Sequence, residues 1–194
     1  MKVTPGNNRR MVSISIISIL ILFILTLIRL WGFVPDIFTY YVLHIAAEIT
    51  YLAMLWYVIS ILQFAGETVS IQSPFSILLG LELVYFLMSY TKMLGSLNVS
   101  MGVVMGIIFI YAAINTFRVK NKELSNAFRI LGVTFLFTIL LKFCLGFLLI
   151  SPGEQPSSFI GFIDETPLLA IMYLIIQTGK LLKEDADPQP DIEA

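Results

Sequence analysis

Six long apolar runs separated by short polar stretches dominate this sequence. A helix of about 20 mostly apolar residues crosses the roughly 30 Å hydrocarbon core of a bilayer, and its backbone hydrogen bonds are satisfied within the helix. The runs predict spans at about residues 11–34, 39–63, 74–94, 99–117, 128–150 and 159–182. Only 13% of the residues are charged and 58% are hydrophobic, whereas a soluble domain has about 25% charged residues. We therefore predict an all-α membrane protein, a polytopic bundle of six transmembrane helices.

The two ends of the chain are polar. Residues 1–10 precede a first run that is too long for a signal-peptide core and is not followed by a small-residue cleavage site, so we expect this run to be an uncleaved span. Residues 183–194 are acidic and proline-containing, which is typical of a disordered tail. We expect both end segments to be cytoplasmic.

The distribution of lysine and arginine predicts the orientation. Six spans place both termini and the loops after spans two and four on one side, and that side holds nine of the 12 basic residues. They are Lys2, Arg9, Arg10, Arg118, Lys120, Lys122, Arg129, Lys180 and Lys183. Because basic loops stay in the cytoplasm, we expect a multi-pass protein of the cell inner (plasma) membrane.

The single histidine lies one helical turn from a carboxylate. His44 and Glu48 share a helix face in span two, and Lys142 in span five lies at a matching depth, about 12 to 14 Å from the outer end at 1.5 Å per residue. A lone charge at that depth costs about 2.5 to 3.5 kcal/mol on insertion scales. We therefore predict that Glu48 pairs with Lys142.

Three further acids extend this polar layer. Glu82 lies near the middle of span three, and Asp164 with Glu165 begins span six just before Thr166-Pro167. The favoured interpretation starts the helix at Pro167 and makes 159–165 a re-entrant or interfacial segment; the alternative is a helix from Phe159 that is kinked at Pro167. With His44, Glu48 and Lys142, these acids predict a polar intramembrane cavity, or a purely structural contact between helices.

Gly102 and Gly106 form a GxxxG spacing in span four. Two small residues one turn apart allow close helix approach, either in self-association or inside one subunit. Both alternatives are compatible with the sequence.

We predict no cofactor, no metal site and no catalytic residue. One histidine excludes a bis-imidazole haem, and the lone Cys144 excludes an internal disulfide and is expected to pack in its apolar run. No recognisable hydrolase or metalloprotease motif occurs, so we expect no enzyme activity. The net charge of -1 argues against direct nucleic-acid binding.

The remaining features favour a non-catalytic membrane sensor or assembly subunit that homo-oligomerises and recruits a cytosolic protein partner. Two oppositely charged cytoplasmic segments form the expected docking surface. Its residues are Arg118, Lys120, Lys122, Asp185 and Asp187. Small polytopic proteins of this kind occur in bacterial envelope-stress and antiviral defence systems. The alternative is an oligomeric channel or carrier for a small solute or ion, supported by Glu82 near the midplane.

Overall fold

The structure, a computed structural model, describes residues 2–31, 37–90, 98–149 and 160–184, and all regular secondary structure in these ranges is helical. The helices are α1 (Pro5–Trp31), α2 (Ile37–Phe64), α3 (Val69–Tyr90), α4 (Asn98–Thr116), α5 (Lys122–Leu149) and α6 (Ile160–Glu184). Four segments are long and apolar enough to cross a membrane: Pro5–Ile28, Tyr41–Phe64, Val69–Met88 and Lys122–Cys144. The predicted helical membrane protein is thus confirmed, while six membrane crossings remain a prediction.

Polar caps extend two helices beyond their apolar runs. The Thr4 hydroxyl accepts a hydrogen bond from Asn7 N at 3.3 Å, so α1 begins at Pro5, a favoured first helical residue. At the start of α5, Asn121 Oδ1 accepts hydrogen bonds from Glu123 N and Leu124 N, at 3.1 Å each. Hydropathy places only the apolar part of a helix, whereas the capping residue determines where its first turn begins.

The interpretation that α6 begins at Pro167 is wrong. The helix is continuous from Ile160, with Pro167 inside it, which agrees with the alternative of one helix that contains the proline. The kink at Pro167 stays a prediction. Proline removes one intrahelical hydrogen bond, and packing against neighbouring helices can offset that loss in a membrane protein. The preceding residue provides such a contact, because the hydroxyls of Thr166 and Thr138 on α5 lie 2.9 Å apart.

The helices form a closed ring in chain order. Each helix packs against the next, α6 packs against α1, and α2 also contacts α6. Asn8 near the start of α1 bonds Tyr57 late in α2 and the carbonyl of Ile175 late in α6. Glu67 after α2 bonds the backbone of Lys120 after α4. The start of α1, the end of α6 and the loops after α2 and α4 therefore share one end of the bundle, which we name the terminal end.

The packed core fills the terminal half of the ring. In α2, every side chain in 54–62 except Trp56 is buried, and residues such as Phe75, Phe128 and Phe135 complete the core. Toward the opposite end, no described side chain is buried in 41–46, 83–88, 101–111 or 139–144. Among the described residues, the bundle thus combines a tightly packed terminal half with a loosely packed opposite half, in which Leu25 and Thr26 on α1 are still buried.

Gly66 ends α2 in a left-handed conformation with φ of 71°. Gly66 N bonds Gln63 O at 3.1 Å and Glu67 N bonds Leu62 O at 3.0 Å, the hydrogen-bond pattern of a Schellman cap. Because a Cβ disfavours this conformation, Gly66→Ala is expected to lower the free energy of unfolding by about 1 kcal/mol. Thermal unfolding in detergent measures the change. Gly80→Ala is the control, since Gly80 has open space around its Cβ position; equal effects would contradict the conformational explanation.

Candidate functional site

The structure places three of the predicted intramembrane charges near one another. Glu82 on α3 is only 9% exposed, and it lies within electrostatic range of Glu48 on α2 and Lys142 on α5. We call these three residues the polar cluster. Their burial is graded, because Glu48 is half-buried and Lys142 is exposed. The direct pairing of Glu48 with Lys142 stays a prediction.

The polar cluster spans the interior of the ring. In the part of the chain that the structure describes, α5 packs against α4 and α6 but not against α2 or α3. Lys142 therefore interacts with Glu82 across the ring rather than along a helix-helix contact. Leu78, one turn from Glu82 toward the terminal end, is fully buried. Glu82 thus lies at the boundary between the packed half and the loosely packed half.

Three further residues were predicted to belong to the polar layer: His44, Asp164 and Glu165. His44 is half-buried on α2, one turn from Glu48. Asp164 and Glu165 belong to α6, but their side chains lie outside the described part of the structure. The bond between Thr166 and Thr138 places this turn of α6 beside the turn of α5 that precedes Lys142.

Gly102 and Gly106 have open space beside them. A Cβ added at either position would meet no atom within 4 Å, so neither glycine is needed for a close helix contact among the described residues. They lie beside Val103, which is 59% exposed, and Ile107, which is 58% exposed. Packing inside one subunit stays a prediction. Self-association through these glycines stays a prediction.

The expected docking surface is anchored by a residue that the sequence analysis did not single out. Glu67 is 7% exposed, and its Oε1 accepts hydrogen bonds from Lys120 N at 2.7 Å and Asn121 N at 3.0 Å. Arg118, Lys120 and Lys122 all have exposed side chains. Glu67 therefore fixes the backbone of the basic loop while its cations stay accessible. Asp185 and Asp187 lie outside the described residues.

A second buried polar contact joins three helices at the terminal end. Asn8 is 4% exposed; its Nδ2 donates to Ile175 O at 3.0 Å, and its Oδ1 accepts from the Tyr57 hydroxyl at 3.0 Å. Gly179 permits this approach, because a Cβ there would meet Asn8. The sequence alone suggested only a solvated polar segment at residues 1–10. The sequence signal for a buried Asn8 was its spacing from Met11 and Ser15, because positions 8, 11 and 15 share one helix face. Met11 and Ser15 are also buried.

The polar cluster offers charge interaction across the ring. Among the described residues, no group of three or more His, Cys, Asp or Glu side chains could hold a metal ion. Cys144 is exposed on α5, so the expectation that it packs in the interior is wrong; it lies in the loosely packed half.

No protein-family model, curated protein or solved structure matches this chain. Its function is therefore inferred from the polar cluster and from the surface at the terminal end.

If Glu48 and Lys142 form a pair, we expect Glu48→Gln and Lys142→Met each to destabilise the protein in detergent. The double variant should recover about 1 kcal/mol relative to the sum of the single changes, which is typical of polar coupling between membrane helices. Denaturant unfolding of the four proteins measures the coupling. Additive effects would show that the two residues do not interact.

Proposed function

We propose that this protein is a non-catalytic membrane sensor or assembly subunit, in which the state of the polar cluster controls recruitment of a cytosolic partner at the terminal end. The observation that carries this proposal is the burial of Glu82 between charges supplied by two other helices. Charges held at the edge of a loosely packed region respond to what enters it, because charge interactions strengthen as water is excluded.

A physical connection between the two regions supports the proposal. Helices α3 and α5 carry Glu82 and Lys142 in the opposite half, and at the terminal end Glu67, just before α3, bonds the backbone just before α5. A shift of α3 relative to α5 would therefore act on the basic loop. Two arrangements of this pair would give the bistable element that signalling requires.

The partner is expected to be a cytosolic protein whose surface has acidic groups that bind Arg118, Lys120 and Lys122 and basic groups that bind Asp185 and Asp187. Complementary charge favours fast and specific association. Small polytopic subunits of this type serve bacterial envelope-stress and antiviral defence systems, and we propose the same setting, in the inner membrane with both termini cytoplasmic.

Homo-oligomerisation is proposed to use the outward face of α4. Gly102 and Gly106 leave a shallow strip beside the exposed Val103 and Ile107, and small residues allow helices of two subunits to approach closely. Gly106→Leu is expected to reduce the oligomer, measured by light scattering in detergent. Val133→Leu on exposed α5 is the matched control.

Deletion of residues 184–194 distinguishes the sensor function from the transporter function. In a sensor, the deletion and the triple change of Arg118, Lys120 and Lys122 to glutamine are expected to abolish the cellular response, while reconstituted vesicles show no solute flux. A chain whose deletion variant keeps its full cellular response is not a sensor that acts through its tail.

An oligomeric channel or carrier is the second candidate. The buried Glu82 favours it, since transporter binding sites lie near the membrane midplane. In that case vesicles containing the wild-type chain would conduct a small ion or solute, and Glu82→Gln would stop the flux.

A further inference from the structure

We propose that the seam between α1 and α6 at the terminal end binds the headgroup of an anionic phospholipid. Three cations carry this site: Arg9, Arg10 and Lys180. We call them, with the seam between them, the basic groove. The basic loop that the proposed function assigns to a cytosolic partner is separate from this groove, because it follows α4.

A close contact between α1 and α6 brings the three cations together. Asn8 on α1 donates its Nδ2 to Ile175 O on α6 at 3.0 Å. One turn further along α6, a Cβ at Gly179 would meet Asn8, so the two helices approach closely at this level. The two arginines directly follow Asn8, and Lys180 directly follows Gly179. The three cations therefore lie at one level of the bundle, on two neighbouring helices.

The side chains of the basic groove point away from the packed interior. All three are exposed, whereas the buried faces of the same helices carry Met11 and Ser15 on α1 and Thr178 and Leu182 on α6. A molecule that lies against the side of the bundle can thus reach the cations without any rearrangement of the core.

The helices of the groove supply no carboxylate to these cations. Neither α1 nor the described side chains of α6, at 166–183, include an Asp or a Glu. Elsewhere at the terminal end, Glu67 is buried against the basic loop, and the exposed Glu123 lies at the start of α5. Three cations on two acid-free helix surfaces attract an anionic oxygen group such as a phosphate.

Exposed apolar side chains lie next to the cations on both helices. Ile176 is one turn from Lys180 and 37% exposed, and Ile16 is two turns from Arg9 and 46% exposed. Both lie toward the middle of the bundle, and Pro5–Ile28 is apolar enough to cross a membrane. Cations above an exposed apolar surface match the two parts of a phospholipid, its headgroup and its acyl chains. This combination favours a lipid over a soluble phosphate compound or an acidic protein.

The test measures lipid binding to the full chain by native mass spectrometry in detergent. Phosphatidylglycerol and phosphatidylcholine with identical acyl chains are titrated separately, and the apparent Kd of the first bound lipid is compared. We expect the Kd for phosphatidylglycerol to be at least about tenfold lower, because each cation near an anionic headgroup contributes about fivefold. Equal Kd values for the two lipids would overturn the proposal.

Removal of the groove cations is expected to abolish the preference. In the triple variant Arg9→Gln, Arg10→Gln and Lys180→Gln, the two Kd values should agree within about twofold. Lys180→Gln alone is expected to weaken phosphatidylglycerol binding by about fivefold, and it carries the test if the triple variant does not fold. Binding of phosphatidylcholine should change little in either variant.

A matched control removes the same number of charges at the same end of the bundle. It replaces the three exposed cations of the basic loop, in the triple variant Arg118→Gln, Lys120→Gln and Lys122→Gln. This control is expected to retain the preference for phosphatidylglycerol. An equal loss of preference in both triple variants would show that total charge selects the lipid, and it would overturn the assignment to the basic groove.

Discussion

Glu67→Ala is expected to lower the free energy of unfolding by about 3 kcal/mol, because it removes a buried charged acceptor from two backbone amides. The hydrogen bonds from Lys120 N and Asn121 N join the loop after α2 to the start of α5. Without the carboxylate, these amides lose their protein acceptor at a part-buried site. Denaturant unfolding in detergent gives the free energy, and amide hydrogen exchange at residues 120 and 121 should accelerate.

The conservative and surface variants make this result specific. Glu67→Gln retains a side-chain oxygen acceptor and is expected to lose about 1 kcal/mol. Glu123→Ala, at an exposed carboxylate on the same end, is expected to change stability by less than about 0.5 kcal/mol. If Glu67→Ala behaves like Glu123→Ala, the contact does not stabilise the bundle.

Gly132→Ala is expected to cost about 2 to 3 kcal/mol, because overpacking a close helix contact forces the backbone apart. A Cβ at this position would overlap the Thr116 hydroxyl and would lie 2.8 Å from the Ala113 carbonyl oxygen on α4. The hydroxyl cannot simply rotate away without loss, since it donates a hydrogen bond to that same carbonyl at 2.6 Å. Thermal or denaturant unfolding in detergent measures the effect.

Gly102→Ala is the matched control for Gly132→Ala. Both glycines lie in helices, but the Cβ position of Gly102 is open, and alanine favours a helix over glycine by up to about 1 kcal/mol. The fold should therefore be unchanged or slightly stabilised, whatever happens to the oligomer. A larger loss of stability for Gly102→Ala than for Gly132→Ala would mean that the packing of α4 differs from that described.

The polar cluster was partly predictable because depth along a membrane helix follows from residue number. A fixed rise of about 1.5 Å per residue put Glu48 and Lys142 at one level. The same calculation of depth placed Glu82 nearer the midplane. Depth alone does not determine which face of each helix points into the bundle. That all three interact across the ring depends on the rotation of α2, α3 and α5, which is set by packing.

The glycines illustrate the opposite case. Gly102 and Gly106 carry the spacing that indicates helix packing, yet a Cβ at either position would meet no atom within 4 Å. Gly132 has no such spacing partner and makes the close contact with α4. A GxxxG spacing shows only that a helix has a face of small residues. Whether another helix packs closely against that face depends on where the neighbouring helices lie.

The sequence by itself determined the helical class and the approximate position of each helix, because apolar run length and backbone hydrogen bonding within a helix are local properties. Tertiary structure alone decided that Asn8 is buried against α2 and α6, that Glu67 binds the backbone just before α5, and that most of the core lies in the terminal half. These features join residues far apart in the chain. Their formation depends on how complete helices pack, which no local pattern in this sequence encodes.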